Sequence, residues 1–145
     1  MGQSDRVATP PTLLLIDDCV QERDLYERAL ESDFQILTAT RGDSGLELAA
    51  ANRPDAIVLD VMMPGLNGWD TCTRIKSHDA TADIPVILLT GATDADLTTH
   101  ARVVGAAAVL TKPCPADRLR DVLLLALARA IDGTESGRSD FPDES

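Results

Sequence analysis

The chain has 145 residues, enough for one domain of ordinary size with a real core. Apolar residues make up 44% and aromatics only 3%, so that core must be built from Leu, Val, Ile and Ala. A net charge of −11 argues against nucleic acid and anionic membrane surfaces as direct partners, and suits cations or basic protein surfaces. Cys19, Cys72 and Cys114 are odd in number and lack metal-ligand spacing, and no secretory leader pattern precedes them. They read as reduced thiols of a cytoplasmic protein. No apolar run approaches the roughly 18 residues a membrane span needs.

In chain order, residues 1–11 read as a flexible leader carrying a Pro10-Pro11 pair. Leu13 to Ile16 is a first buried strand ending in Asp17-Asp18. A helix follows from about Val20 to Glu31, with Leu25, Ala29 and Leu30 at helical spacing. Phe34 to Ala39 alternates loosely, as an edge-side strand does. The second helix opens on Asp43 or Ser44 as its cap and runs to Asn52, with Leu46, Ala49 and Ala50 inward. Ala56 to Asp60 is the central feature: four apolar residues run into one carboxylate, as in a strand buried on both faces. Met63-Pro64-Gly65 and Asn67-Gly68 then turn the chain away and leave Asp60 at the mouth.

A third helix is predicted over about Gly68 to Ser77 behind an Asn67 cap, and a fourth strand over Pro85 to Thr90. The fourth helix runs from about Asp94 to Val104, with Leu97, Ala101 and Val104 on one face and Gly105 ending it. A short fifth strand covers Ala107 to Leu110, and Lys112-Pro113 follows. The last helix starts near Pro115 and ends near Ile131. Residues 132–145 hold five acids and one Arg, a charge of −4, and read as a disordered acidic tail. The folded part, residues 12–131, is then one domain. Strand and helix alternating five times define an α/β fold, a doubly wound parallel sheet between two helical layers.

Five polar side chains follow the apolar strands: Asp17, Asp18, Asp60, Thr90 and Lys112. In such a sheet all strand C-termini emerge on one edge, where sites form. Two carboxylates about 5 Å apart repel by on the order of 3 kcal/mol at an effective dielectric near 20. Either one protonates or a cation sits among them. An all-oxygen donor set suits Mg²⁺ or Mn²⁺ and not Zn²⁺. A cation, an ammonium and a hydroxyl around one carboxylate are what phosphoryl transfer to that carboxylate requires. Asp60 is then the nucleophile, and Asp17 and Asp18 hold the metal.

Asp17-Asp18, Asp60 followed by Met62-Met63-Pro64-Gly65 and Gly68, then Thr90, Gly105-Ala106 and Lys112-Pro113 occur in one order and spacing. With these the chain resembles the receiver (CheY-like) domain of bacterial two-component response regulators, from about Thr12 to Ile131. The resemblance implies a flavodoxin-like fold of strand order 2-1-3-4-5. It implies that Asp60 accepts a phosphoryl group from a histidine kinase or histidine phosphotransfer protein. Mg²⁺ would be held by Asp18, Asp60 and the backbone carbonyl of Met62, with Asp17 mainly through water. Thr90 and Lys112 would bind phosphoryl oxygens, and the Lys112–Pro113 peptide would be cis. The resemblance also places Val109 where the family usually has a Tyr or Phe that moves with the threonine. Met62 and Ala92, which flank the phosphate, are non-acidic, so slow self-dephosphorylation is expected.

The expected function is a stand-alone receiver that signals through phosphorylation-dependent protein interaction and converts no outside substrate. One alternative is a metal-dependent phosphatase with an aspartyl-phosphate intermediate, but Met62 stands where that chemistry needs a second Asp. Another is the receiver of a longer regulator with an output domain, and a third is a docking-only pseudo-receiver. Trp69 reads as a partly buried packing residue, His78 and His100 as solvated helix histidines, and Cys114 as a small buried thiol. The last helix carries an inward stripe of Leu119, Val122, Leu123, Ala126 and Ala130. A second stripe, Leu124, Leu127 and Ile131, suggests a homodimer or partner surface with the fourth helix.

Overall fold

A computed structural model describes residues 9–92 and 96–132, with the side chains of 131 and 132 left aside. Five strands alternate with five helices: β1 (Thr12–Ile16), α1 (Val20–Leu30), β2 (Gln35–Ala39), α2 (Gly42–Asn52), β3 (Ala56–Asp60), α3 (Gly68–Ser77), β4 (Val86–Thr90), α4 (Leu97–Val104), β5 (Ala108–Thr111) and α5 (Ala116–Asp132). All strand pairs are parallel, in the order β2-β1-β3-β4-β5. This is the flavodoxin-like order the resemblance implies. Of the leader, the start lies outside the described residues. So does nearly all of the tail, and α5 takes in Asp132, one residue beyond the predicted helix end.

β3 is central because its sequence lets it be. Ala56, Ile57, Val58 and Leu59 are all buried, and alternate residues enter opposite layers. Ile57 and Leu59 join Leu14, Ile16 and Leu88 under α2, α3 and α4. Ala56 and Val58 join Leu13, Leu15 and Leu89 under α1 and α5. Each fully buried Leu or Ile here contributes roughly 1.5–3 kcal/mol of transfer free energy. By the same alternation Asp60 stands toward the α1/α5 side, one step beyond Leu59.

The local signals account for most element ends. Asn67 Oδ1 accepts a hydrogen bond from Asp70 N at 2.9 Å, capping α3 as predicted. Gly105 ends α4 at φ 88°, and its N–H reaches the Ala101 and Arg102 carbonyls. α5 is tied to the end of α1 by Arg120, which donates to Asp33 Oδ2 at 2.8 Å and to Ala29 O at 3.0 Å.

Several expectations shift. In α1 the inward residues are Tyr26 and Leu30, and Leu25 is 62% exposed. α2 begins one or two residues early, with Arg41 at the N-cap and no side-chain cap bond. Gly42 and Gly45 let it lie close, so Ala49 is buried and Ala50 faces water. α4 is described from Leu97; residues 93–95, where its predicted start falls, lie outside the described residues. β5 runs through Thr111, so Lys112 follows the strand directly. In α5, Leu119, Leu123 and Ala126 are buried, Ala130 is exposed, and Leu127 of the second stripe packs partly against the core. Leu124 is exposed, and Ile131 lies outside the described side chains.

Candidate functional site

Backbone pairing sets the mouth of the site. Ile16 pairs with both Ala39 and Leu59, which brings Asp17 beside Asp60. Asp60 pairs with Leu89, Val61 N donates to Leu89 O at 2.9 Å, and Lys112 N donates to Thr90 O at 2.8 Å. Behind Asp60 the chain folds back so tightly that a Cβ on Gly68 would lie 2.5 Å from Val61 Cα and 2.6 Å from Asp60 O. Only glycine lets α3 start against the backbone at the end of β3. The Lys112–Pro113 peptide is cis, and the Tyr26 hydroxyl donates to Cys114 O at 2.7 Å just beyond it.

Lys112 Nζ donates to Asp60 Oδ1 at 3.1 Å and to Glu22 Oε1 at 2.6 Å. Asp60 is 4% exposed, and its Oδ1 also faces Met62 N at 3.4 Å, beyond a well-formed hydrogen bond. Asp17 is buried too; its Oδ1 accepts from Cys19 N at 2.9 Å, and its carbonyl accepts from Arg23 Nη1 at 2.8 Å. Asp18 is exposed at the rim. Carboxylate oxygens of Asp17, Asp18 and Asp60 lie within 4.8 Å of one another. Thr90 is fully buried at the end of β4, and its Oγ1 accepts from Ala92 N at 3.1 Å.

The electrostatics follow from burial. Desolvation pushes the Asp17 carboxyl up to about 7, against the Cys19 amide bond and with the charge of Asp60 adding to it. Desolvation also raises Asp60, with the Lys112 contact opposing. Burial alone would lower Lys112, but its bonds to Glu22 and Asp60 outweigh it and hold the ammonium above its ordinary range. Three acids this close, one of them forced toward neutrality, form an all-oxygen donor set of the kind that suits a hard divalent cation.

The structure thus brings Asp17, Asp18, Asp60 and Lys112 together, and sets Thr90 and Met62 on the segments bounding them. Sequence reasoning missed Glu22. It is one of several acids on α1, and only the approach of α1 to the β5 end singles it out. It also missed that His100, exposed on α4, stacks on Trp69 of α3, with ring centroids 3.8 Å apart and planes 13° off parallel. Trp69 is partly buried, as expected. Cys114 is buried, as expected, and burial raises its thiol.

Comparison with known proteins bears on the family and the fold. The family described as "Response regulator receiver domain" matches residues 13–124. The chain is 35% identical over 120 residues to the response regulator PleD of Caulobacter vibrioides, covering 82% of this chain and 25% of PleD. It is 44% identical over 85 residues to the transcriptional regulatory protein AfsQ1 of Streptomyces coelicolor, covering 58% of this chain and 36% of that one. Among solved structures, the chemotaxis protein CheY4 of Vibrio cholerae superposes with a TM-score of 0.77 at 25% identity, covering 81% of this chain and 99% of CheY4. The receiver domain of a signal transduction histidine kinase from Syntrophus aciditrophicus gives 0.71 at 28% identity, covering 86% and 92%. The protein belongs to the response regulator receiver domain family of two-component systems. Its chain spans only about a quarter to a third of the two curated relatives named. Among the described residues no helix is long and apolar enough to cross a membrane.

Proposed function

We propose that Asp60 is the phosphoacceptor and that the chain is a receiver unit, switched by a phosphohistidine on a histidine kinase or phosphotransfer protein. The observation that carries this reading is the buried Asp60 carboxylate bonded to Lys112 at 3.1 Å inside the Asp17, Asp18 and Asp60 cluster. A lone buried carboxylate is costly, and here it is kept beside both a fixed cation and a divalent-cation cage.

In the transfer, an Asp60 carboxylate oxygen bonds to phosphorus as the phosphorus–nitrogen bond of the donor breaks. The imidazole leaves with the electron pair and takes up a proton. Lys112 meets the charge that spreads over the phosphoryl oxygens, and the Thr90 hydroxyl turns from its own loop to donate to one of them. Asp17, Asp18, Asp60 and the Met62 carbonyl would hold Mg²⁺ or Mn²⁺, which when bound neutralises charge on the acids and the phosphoryl group. Met62 is 66% exposed and Ala92 is exposed; neither side chain can orient an attacking water, so the acyl phosphate is long-lived.

The chain catalyses only its own phosphorylation and dephosphorylation, and its output is a protein contact in the cytoplasm. Exposed Val103 on α4 and Leu124 on α5 support a contact surface there for a second copy or a partner. The test is acetyl phosphate with Mg²⁺, read by intact mass. Wild type gains one phosphoryl group, and Asp60→Asn or added chelator abolishes the gain. Equal labelling of Asp60→Asn contradicts the assignment.

A further inference from the structure

Lys112 is shared unequally. Its ammonium is 2.6 Å from Glu22 and 3.1 Å from Asp60, so at rest the closer partner is the carboxylate on α1 and not the acceptor. The two partners also differ in what they can do. The Glu22 side chain is 39% exposed and can turn into water, whereas Asp60 is enclosed at 4%. A phosphoryl group on Asp60 brings about two negative charges to the same ammonium. Glu22 is then the anion repelled by the newcomer and the one free to leave.

The first turn of α1 is tied to the site through further contacts besides this pair. Arg23 donates to the Asp17 carbonyl at 2.8 Å, and Cys19 N donates to the Asp17 carboxylate at 2.9 Å. Beside the Tyr26–Cys114 bond, Lys112 is thus a group at the end of β5 whose choice of partner bears directly on α1. Val109 packs into the opposite layer, with the cluster under α2, α3 and α4, and has no ring to swing.

We infer that Glu22 is a positioning residue that holds Lys112 in the unphosphorylated protein and is exchanged for the phosphoryl group, so that phosphorylation loosens the first turn of α1. The inference rests on the function proposed above. Glu22 touches neither donor nor phosphorus; it acts through the lysine. It slows the transfer slightly, because Lys112 must be taken from it, and in return couples the transfer to α1.

The experiment compares wild type with Glu22→Gln, using acetyl phosphate and Mg²⁺, with two readouts. The rate of phosphoryl gain by intact mass should rise about three- to fivefold in Glu22→Gln, the worth of a half-exposed ion pair. Amide hydrogen exchange over residues 19–25 should speed up on phosphorylation in wild type. In Glu22→Gln it should be fast already and stay unchanged. A Glu22→Gln rate equal to or below wild type overturns the inference, as does the same exchange response in both proteins. A wild type that never gains the phosphoryl group overturns the proposed function and this inference with it; a modified wild type indistinguishable from Glu22→Gln overturns this inference alone.

Discussion

Replacing Asp17 with Asn takes one buried carboxylate out of the acidic cluster while keeping the oxygen that accepts from Cys19 N. Burial lifts this carboxyl from 3.8 to about 7. Between those values the folded chain holds a proton that the unfolded chain has lost, so stability falls as pH rises and the loss is complete above about 7. Solvent screening at the mouth and sharing of the proton with Asp60 cut the difference to on the order of 2 kcal/mol, or roughly 5 °C in Tm for a domain of this size. Without divalent cations, wild type should melt well below its Tm at about pH 5.5 when taken to about pH 8, and Asp17→Asn should show a much flatter profile and melt higher than wild type at about pH 8. Mg²⁺ should stabilise wild type more at the higher pH, because the cation competes with the proton, and should stabilise Asp17→Asn far less. Thermal melts followed by circular dichroism, in chelator and in Mg²⁺, read all of this. Wild type equally stable at both pH values in chelator, or the same pH slope in both proteins, would refute the reasoning.

Lys112→Ala should fold and slow phosphoryl gain from acetyl phosphate by about a hundredfold or more, since the fixed cation is lost where charge develops. Wild-type rates in that variant would remove Lys112 from the chemistry. Gly68→Ala forces a methyl into the Asp60–Val61 backbone and should cost about 1–3 kcal/mol in urea unfolding, while weakening phosphorylation by moving the turn that carries Met62. Arg53 ends α2 at φ 48°, a left-handed conformation costly for any residue with a Cβ, and its N–H donates to Ala49 O at 2.8 Å. Arg53→Gly should therefore stabilise the fold by up to about 1 kcal/mol, and a loss of stability would contradict that cap.

The sheet was legible because its strands are continuous apolar runs ending in polar residues, a pattern set by burial on both faces and by position in the layer. β3 and α3 came out residue for residue, the first from Ala56–Asp60 alone and the second from its Asn67 cap and Gly68 start. Amphipathic helices were less legible. Leu25 looks like a core residue by hydrophobicity, yet Tyr26 takes the inward place because its hydroxyl has a buried partner in the Cys114 carbonyl. The start of α2 falls one or two residues before the capping side chains Asp43 and Ser44, because Gly42 packs closely against Leu66 and Thr71. In the site, Asp17, Asp18, Asp60 and Lys112 stood out by following strands at equivalent positions. Glu22 lies on a helix among other charges, and its meeting with Lys112 across 90 residues depends on how α1 crosses the sheet. The Trp69–His100 stack is hidden for the same reason: it depends on two helices meeting side by side.

The central claim is that one particular carboxylate becomes an acyl phosphate. The most direct measurement is to expose the full chain to acetyl phosphate and Mg²⁺, reduce with borohydride, and locate the product by peptide fragmentation. An acyl phosphate on aspartate is reduced to homoserine, so the account predicts homoserine at residue 60 and at no other aspartate, with none formed in chelator. Homoserine at Asp17 or Asp18 in place of Asp60, or none anywhere in a folded, Mg²⁺-supplied protein, would contradict it.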